Sequence, residues 1–227
     1  GTMVGEPYRM HSVKPGKFIT LEGIEGCGKS VQLHLLEEEL RRRNVAFITT
    51  QQPGGTRFGR ELRQILLHKD GAKREPVAEL LLYLADRYQH LKEVIEPALV
   101  RGLHVICDRY HDATLAYQGH ARGIGFKTVD QLAEILQLRV PHLTVVLDVE
   151  VEVGLKRACE RNQREHKERW GRFEAEDLEF HRKVREGYRL LAEREPDRVL
   201  LLDASASPQE VLKRILRVLE EREIFAA

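Results

Sequence analysis

The stretch GIEGCGKSVQ, from Gly23 to Gln32, fits the pattern GxxxxGKS in a chain of 227 residues. It follows KFITLE (residues 17–22), an apolar run with the length and composition of a β-strand. A glycine-rich turn from a strand into a helix directs backbone N–H groups at a phosphate, and the helix dipole adds positive potential. The motif therefore predicts a phosphate loop between the first strand and the first helix.

Each residue of this loop has an expected part in nucleotide binding. Lys29 is expected to reach the β- and γ-phosphates of the nucleotide, and Ser30 to coordinate Mg²⁺. Cys27 is expected to serve as a small loop residue, with a redox switch as the alternative. The predicted ATP-binding set is the whole loop: Gly23, Ile24, Glu25, Gly26, Cys27, Gly28, Lys29, Ser30 and Val31.

Four further apolar runs have the length of buried strands: VAFITT (45–50), LHVICD (103–108), LTVVLD (143–148) and RVLLLD (198–203). Between the runs lie segments with apolar residues at helical spacing, such as QLHLLEEELRRR and PQEVLKRILRVLEE. Five short, mostly continuous apolar runs separated by helices indicate a parallel sheet covered on both faces. The chain is therefore predicted to form a three-layer α/β sandwich of the P-loop NTPase type, with a five-stranded parallel sheet and helices on both faces.

Charge and cysteine content exclude several classes of partner. Lys and Arg total 37 against 36 for Asp and Glu, so no global field draws the chain to nucleic acid or to anionic lipid. The three cysteines are far apart and show no CxxC spacing, which argues against a disulfide framework or a zinc site and favours a reducing, cytoplasmic compartment. No window approaches the roughly 18 apolar residues of a membrane span. We expect no nucleic-acid or membrane partner.

Three of the five predicted strands end in aspartate, at the sheet edge where ligands bind in such folds. Asp108 is expected to hold Mg²⁺ directly or through water, and the adjacent Arg109 to pair with phosphate oxygens. Asp148 and Asp203 are interpreted instead as helix caps or turn residues.

A phosphate loop predicts nucleotide binding and no particular reaction. The chain lacks the NKxD element by which GTPases read guanine, and its length leaves little room for the further domains of motor and clamp-loader ATPases. Of the common classes of phosphate-loop protein, a small kinase remains.

A second motif predicts a site for a planar base. In LLLYLADRYQH, Tyr83 and Arg87 are four residues apart and share a helix face, where they can stack on a planar base and bond to its edge. The alternatives are ordinary packing for the tyrosine and a salt bridge for the arginine.

Several linked motifs carry a family resemblance: FITLEGIEGCGKSVQ, QPGGTRFGRELRQILL, LLLYLADRYQH, DRYHDATLAYQG and PHLTVVLDV. In this order and at these separations the chain resembles the thymidylate kinase family over roughly residues 17–203. The resemblance implies transfer of the γ-phosphoryl group of MgATP to dTMP, giving dTDP and ADP, by a homodimer. It also implies that residues 16–227 form a single nucleoside monophosphate kinase domain, and residues 1–15 are interpreted as an N-terminal extension or a tag-derived segment.

The resemblance also assigns roles to individual residues. Tyr83 takes the place of the aromatic residue that stacks on thymine, Arg87 that of the donor to the base, and Arg109 that of the arginine that grips the dTMP phosphate. Tyr117 matches the tyrosine near the sugar, and Asp108 the carboxylate associated with Mg²⁺. The implied dTMP-binding set is Glu25, Pro53, Tyr83, Arg87, Arg109, Thr114, Tyr117 and Gln118.

The segment KRACERNQREHKERWGR (residues 156–172) carries seven Lys or Arg against three Glu. A mobile cationic segment of this kind suits a lid over ATP phosphates, predicted at about residues 156–175, and the alternative is a solvated helix face. Family members supply a catalytic arginine from the phosphate loop or from the lid, and Gly26 stands at the loop position here. The implied catalytic set is Lys29, Arg109, Arg172, Arg169 and Arg164, with Arg172 nominated first and Arg161 behind these.

One departure leaves two interpretations open. TTQQPGGT differs from the commoner family pattern REPGGT, so Gln51 and Gln52 replace a cation and an anion. In one interpretation the cation and the anion were lost together, which costs little energy because neither charge is left unpaired. In the other, the acceptor preference has shifted. The rival functions are therefore a related P-loop kinase for another nucleotide or deoxynucleoside acceptor, and a non-catalytic nucleotide-binding protein.

Overall fold

A computed structural model describes residues 13–68, 70–165 and 178–225 of the chain. Five parallel strands form one sheet in the order β2-β3-β1-β4-β5. Each strand begins and ends within two residues of a predicted apolar run, and the predicted five-stranded parallel sheet is confirmed. The strands are β1 (Phe18–Glu22), β2 (Phe47–Gln51), β3 (His104–Asp108), β4 (Leu143–Asp148) and β5 (Val199–Asp203).

Helices connect the strands and cover both faces of the sheet. Local sequence sets several of their ends: Thr56 caps the second helix by accepting a hydrogen bond from the Gly59 N–H at 2.8 Å, and Ser207 caps the last in the same way. The helices are α1 (Lys29–Arg42), α2 (Arg57–Leu67), α3 (Pro76–His90), α4 (Glu96–Val100), α5 (His111–Thr114), α6 (Phe126–Ile135), α7 (Val151–Glu165), α8 (Leu178–Arg194) and α9 (Pro208–Glu221).

Two π-helical segments extend α3 and α5, at Leu91–Ile95 and Leu115–Ala121. The first lies just before Pro97, whose ring has no N–H and would clash with a carbonyl one turn earlier in a regular helix. The wider π turn relieves that clash. The second segment carries Tyr117 and Gln118, which belong to the predicted acceptor site. Such insertions occur often at functional sites because they change which side chains face inward.

The core lies on both sides of the sheet. On one face, Phe18 and Tyr110 pack edge to face, with ring centroids 4.9 Å apart, against Leu91 and Ile95. A larger cluster joins residues of β1, β3, β4 and β5 to α1, α8 and α9, among other helices. Within the described ranges, no helix combines the length and the apolar character that crossing a membrane requires.

The aspartates that end β4 and β5 make local contacts. Asp203 accepts hydrogen bonds from the backbone N–H and the hydroxyl of Ser205, as expected of a turn residue. Asp148, which was interpreted as a helix cap or a turn residue, forms a two-pronged ion pair with Arg185 of α8, at 2.9 and 3.1 Å. The Asp148–Arg185 ion pair ties α8 to the end of β4.

Glu22, the last residue of β1, is a fully buried carboxyl group. It accepts hydrogen bonds from the Tyr110 backbone N–H and the Tyr188 hydroxyl, both at 2.8 Å. Burial and the nearby Asp112 raise its pKa from 4.5 to about 7, although these hydrogen bonds oppose the shift. Between pH 4.5 and 7 the folded state therefore holds a proton that the unfolded state has lost, and Glu22 destabilises the fold increasingly as the pH rises.

We expect Glu22→Gln to raise the free energy of unfolding relative to the wild type, by an amount that grows from near zero at pH 4.5. The gain should reach on the order of 3 kcal/mol above pH 7, because the amide keeps both contacts and carries no buried charge. Urea unfolding at pH 5 and pH 8 measures the difference, with Glu134→Gln on an exposed face of α6 as the matched control. A gap of equal size at both pH values would contradict the expected protonation of Glu22.

Candidate active site

The phosphate loop joins β1 directly to α1. Gly28 has a left-handed backbone (φ 98°), which L side chains rarely adopt, and α1 begins at the next residue, Lys29. A Cβ at Gly28 would meet no atom within 4 Å, so open space lies beside the loop at the helix N-terminus. The predicted loop thus faces a cradle in which backbone N–H groups and the helix dipole favour an anion.

Gly26 lies against the backbone of α7. A Cβ at this position would stand 1.8 Å from the carbonyl oxygen of Gly154, and Gly26 also has a positive φ of 77°. No side chain fits there unless α7 moves. The loop therefore cannot supply an arginine at Gly26 in this arrangement.

Lys29, the first residue of α1, lies close to Asp108, the last residue of β3. The Lys29 Nζ lies 3.9 Å from the Asp108 Oδ1, which is too long for a hydrogen bond. That oxygen is buried and has no hydrogen-bond partner in the part of the chain that the structure describes. Ser30 is exposed in the first turn of α1. A carboxylate oxygen that accepts no hydrogen bond there, beside the first turn of α1, fits Mg²⁺, which binds through one or two protein oxygens together with substrate phosphates.

Arg109 is held by contacts on both sides of its backbone. It has a left-handed conformation (φ 67°), its N–H donates to the Leu21 carbonyl oxygen at 3.0 Å, and its carbonyl oxygen accepts from the Cys107 thiol at 3.1 Å. Its guanidinium donates to the Tyr117 hydroxyl at 3.2 Å and lies over that ring, 5.2 Å from the centroid. The end of β3 thus supplies a fixed cation.

Three cations converge on Glu25 of the phosphate loop. Arg109 forms a short ion pair with one carboxylate oxygen, and Arg161 of α7 lies 3.8 Å from the other. Burial raises the pKa of Glu25, but Arg109 and Lys29 outweigh it and lower that pKa to about 2. Glu25 is therefore ionised across the physiological range and holds together cations from three elements.

A pocket with about 280 Å³ of unfilled space opens next to Arg109. All the predicted acceptor residues except Glu25 line it, and Gln52 and Ala113 line it as well. Glu25 instead contacts the pocket through Arg109. The lining residues are Gln52, Pro53, Tyr83, Arg87, Arg109, Ala113, Thr114, Tyr117 and Gln118.

Arg87 is a buried cation in the lining of this pocket. Its Nε donates to the Gln52 Oε1 at 2.7 Å, and its Nη1 donates to the Thr114 hydroxyl at 2.6 Å. It also lies 5.4 Å from the centroid of the Tyr110 ring. Both hydrogen-bond acceptors are neutral, so these contacts differ from the salt bridge considered as an alternative.

Gln118 brings an unsatisfied donor to the pocket. Its side chain is buried, and its Nε2 has no hydrogen-bond partner among the described residues. An amide N–H buried without a partner is costly in a folded protein unless a ligand satisfies it. The position of Gln118 on the π-helical segment is what brings this amide to the pocket.

Arg63 of α2 was not among the predicted site residues. Its Nη1 donates to the Pro53 carbonyl oxygen at 2.8 Å, and burial together with Arg109 lowers its pKa. It thus adds a further cation beside the pocket. Spacing alone does not distinguish Arg63 from a surface arginine on a helix. The sequence feature that could have indicated a site role was its position in the family motif QPGGTRFGRELRQILL.

The predicted lid is described only in part. Residues 156–165 continue α7 as a regular helix instead of forming an irregular segment. The side chains of Arg164, Arg169 and Arg172 lie outside the described residues. Arg161 is the member of the predicted lid series that the structure places against the phosphate loop.

Comparisons with known proteins agree with this geometry. A sequence model described as thymidylate kinase matches residues 21–215. The thymidylate kinase of Syntrophotalea carbinolica is 50% identical over 199 residues, which cover 87% of this chain and 92% of that protein. That of Synechococcus sp. (strain JA-2-3B'a(2-13)) is 48% identical over 206 residues, covering 90% of this chain and 95% of that protein.

A solved structure is similar as well. The crystal structure of thymidylate kinase from Ehrlichia chaffeensis matches with a TM-score of 0.72 and 31% identity, covering 90% of this chain and 100% of that one. The family match spans most of the chain, and the relatives are matched over nearly their whole length. The chain therefore belongs to the thymidylate kinase family.

Proposed function

We propose that this protein transfers the γ-phosphoryl group of MgATP to dTMP, giving dTDP and ADP. The observation that carries the proposal is the Arg109–Glu25 ion pair, which joins the phosphate loop to a pocket lined by the predicted acceptor residues. A donor cradle and an acceptor pocket that share one ion pair suit direct transfer between two bound substrates.

On the donor side, the loop N–H groups bind the ATP phosphates and Lys29 reaches the β- and γ-phosphates. We assign Mg²⁺ to Ser30 and Asp108, where the spare oxygen of Asp108 supports the assignment. When bound, Mg²⁺ neutralises charge that develops on the phosphates.

On the acceptor side, Tyr83 stacks on thymine while Arg87 and Gln118 bond to the edge of the base. Arg109 binds the phosphate of dTMP, and Tyr117 packs against the sugar and disfavours a 2′-hydroxyl. Burial raises the pKa of Tyr117 above its ordinary value, so its hydroxyl stays neutral beside Arg109. The polar groups are thereby divided between a base end and a phosphate end of the pocket.

The reaction needs cations more than it needs a base. A phosphate monoester has its second pKa near 6, so most dTMP is already a dianionic nucleophile at pH 7. Bringing two phosphate groups into line requires positive charge, which Lys29 and Arg109 supply together with the lid arginines. We propose Arg172, with Arg169 and Arg164, for the lid contribution, and Arg161 as a support that already faces the loop.

We also propose a homodimer. Apolar side chains that are roughly half exposed cluster on two helices that pack together: Phe58 and Ile65 on α2, and Val77, Leu81 and Tyr88 on α3. An apolar face of this kind is typical of a surface that a second subunit covers. We place the enzyme in the cytoplasm, which is consistent with three free cysteines.

Steady-state rates with MgATP and a panel of acceptors test the function. We expect kcat/KM for dTMP to exceed that for dUMP by about 10-fold or more, because one methyl group in an apolar pocket is worth that much. Thymidine, which lacks the phosphate that Arg109 binds, should be a much poorer acceptor. A higher kcat/KM for another acceptor would support the related-kinase alternative, and absence of ADP production would support a non-catalytic protein.

Substitution of the lid arginines one at a time tests the source of the catalytic cation. We expect Arg172→Ala to lower kcat about 100-fold or more, since removing one donor from a developing oxyanion has effects of that size. Arg182→Ala is the matched control, because this exposed arginine pairs with Glu152 at the outer surface. Full kcat in Arg172→Ala would remove that residue from the mechanism and direct attention to Arg169, Arg164 and Arg161.

Sedimentation velocity tests the dimer surface. Leu81→Glu places a charge in the middle of the exposed apolar face and should shift the protein from dimer to monomer at micromolar concentration. Ile135→Glu makes the same change at a more exposed site on α6 and should leave the dimer intact. A monomeric wild type, or a dimeric Leu81→Glu variant, would contradict the proposed surface.

A further inference from the structure

We propose that Gln52 and His90 form a neutral hydrogen-bonded relay that positions Arg87 for recognition of the acceptor base. The inference rests on the proposed function, since the pocket is taken to bind a pyrimidine nucleotide. It assigns a role to a glutamine that stands where the family pattern REPGGT has glutamate.

The guanidinium of Arg87 fixes the orientation of the Gln52 amide. Arginine can only donate hydrogen bonds, so the atom of Gln52 that faces the Arg87 Nε at 2.7 Å must be the oxygen. The amide nitrogen then faces the Nδ1 of His90, 2.8 Å away. Because that nitrogen donates, His90 must accept at Nδ1.

The tautomer of His90 follows from this orientation. With Nδ1 as acceptor, the proton of the neutral ring lies on Nε2, which donates to the Thr50 hydroxyl at 2.6 Å. Burial and the nearby Arg87 lower the pKa of His90 to about 4, which agrees with a neutral ring. Gly55 makes room for it, because a Cβ there would come within 2.3 Å of the Nε2.

The relay works only while His90 is neutral. A proton on Nδ1 would set an N–H against the Gln52 amide N–H₂, so two donors would face each other. Rotating the amide would relieve this contact but would turn the same N–H₂ group toward the Arg87 Nε. A glutamate at position 52 would instead accept from both neighbours and favour a protonated His90.

Because Gln52 is neutral, it leaves the positive charge of Arg87 available to the base. A carboxylate beside the guanidinium would offset its charge and weaken its attraction for a carbonyl oxygen of the base. Gln52 and Thr114 hold the side chain in place without offsetting that charge. Gln52 is therefore a positioning residue, which acts on the base through Arg87, and its neutral amide stands in place of the glutamate of the family pattern.

Kinetics of Gln52→Leu test the positioning role. This variant keeps similar volume and removes both hydrogen bonds. We expect the KM for dTMP to rise about 10-fold or more, with kcat within about 3-fold and the KM for ATP unchanged, because one buried hydrogen-bond acceptor is lost at the base end. Gln52→Glu keeps an acceptor for Arg87 and should raise the KM for dTMP less. Gln89→Leu is the matched control, since this exposed neighbour of His90 donates its side-chain hydrogen bond to Glu93 on the surface.

The outcomes separate this proposal from the proposed function. If the wild type does not phosphorylate dTMP, the function fails. If it does, and Gln52→Leu leaves the KM for dTMP unchanged, the positioning role alone is overturned. A merely structural role would instead lower kcat and thermal stability while raising both KM values together.

Nitrogen-15 NMR of labelled histidine tests the relay without any assay of activity. At pH 7 we expect His90 of the wild type to be neutral with its proton on Nε2, its signals assigned by their absence in His90→Gln. Gln52→Glu should convert it to the doubly protonated form. A wild-type His90 that carries its proton on Nδ1, or that is charged at pH 7, would overturn the relay.

Discussion

The ion pair between Arg109 and Glu25 is the contact on which the geometry of the site depends. In a parallel sheet the loops after neighbouring strands meet at one edge, but that rule does not specify how far apart the loops stand. The ion pair sets this spacing between the phosphate loop and the turn after β3. The left-handed backbone of Arg109, held by Leu21 and Cys107, keeps its side chain available for that contact. Phosphoryl transfer depends on spacing of this kind, since misplacement by an ångström is costly.

The two ends of the proposed acceptor pocket, a phosphate end at Arg109 and a base end at Arg87, differ in their electrostatics. The phosphate end concentrates ionised groups, with Glu25 kept charged by Arg109 and Lys29. The base end surrounds one cation, Arg87, with an amide and a hydroxyl. A phosphate dianion requires net positive charge, whereas a neutral base requires donors and acceptors in fixed directions.

Sequence patterns predicted the sheet and the phosphate loop well because both depend on local order. Apolar runs of strand length and a motif of fixed spacing contain that information within a few residues. Gln52 and His90 are 38 residues apart, and their hydrogen bond depends on how β2 packs against α3, which periodicity does not report. Sequence periodicity also did not predict the π-helical turn that carries Gln118 or the hydrogen bond of Arg63 to Pro53, because both depend on contacts between distant segments. The roles of the lid arginines stay predictions.

The contact between Gly26 and Gly154 limits how this active site can evolve. Arg161 lies seven residues after Gly154, two helical turns further along nearly the same face of α7, so the surface that touches the loop also presents Arg161 to it. A side chain at position 26 would lift this surface and withdraw that arginine from Glu25. Cations from the loop and from α7 are thus sterically exclusive alternatives. Replacing Gly26 by arginine would therefore exchange one cation for another instead of adding one, and a Cβ at Gly154, which would stand 2.6 Å from the Glu25 carbonyl oxygen, would separate the same two surfaces.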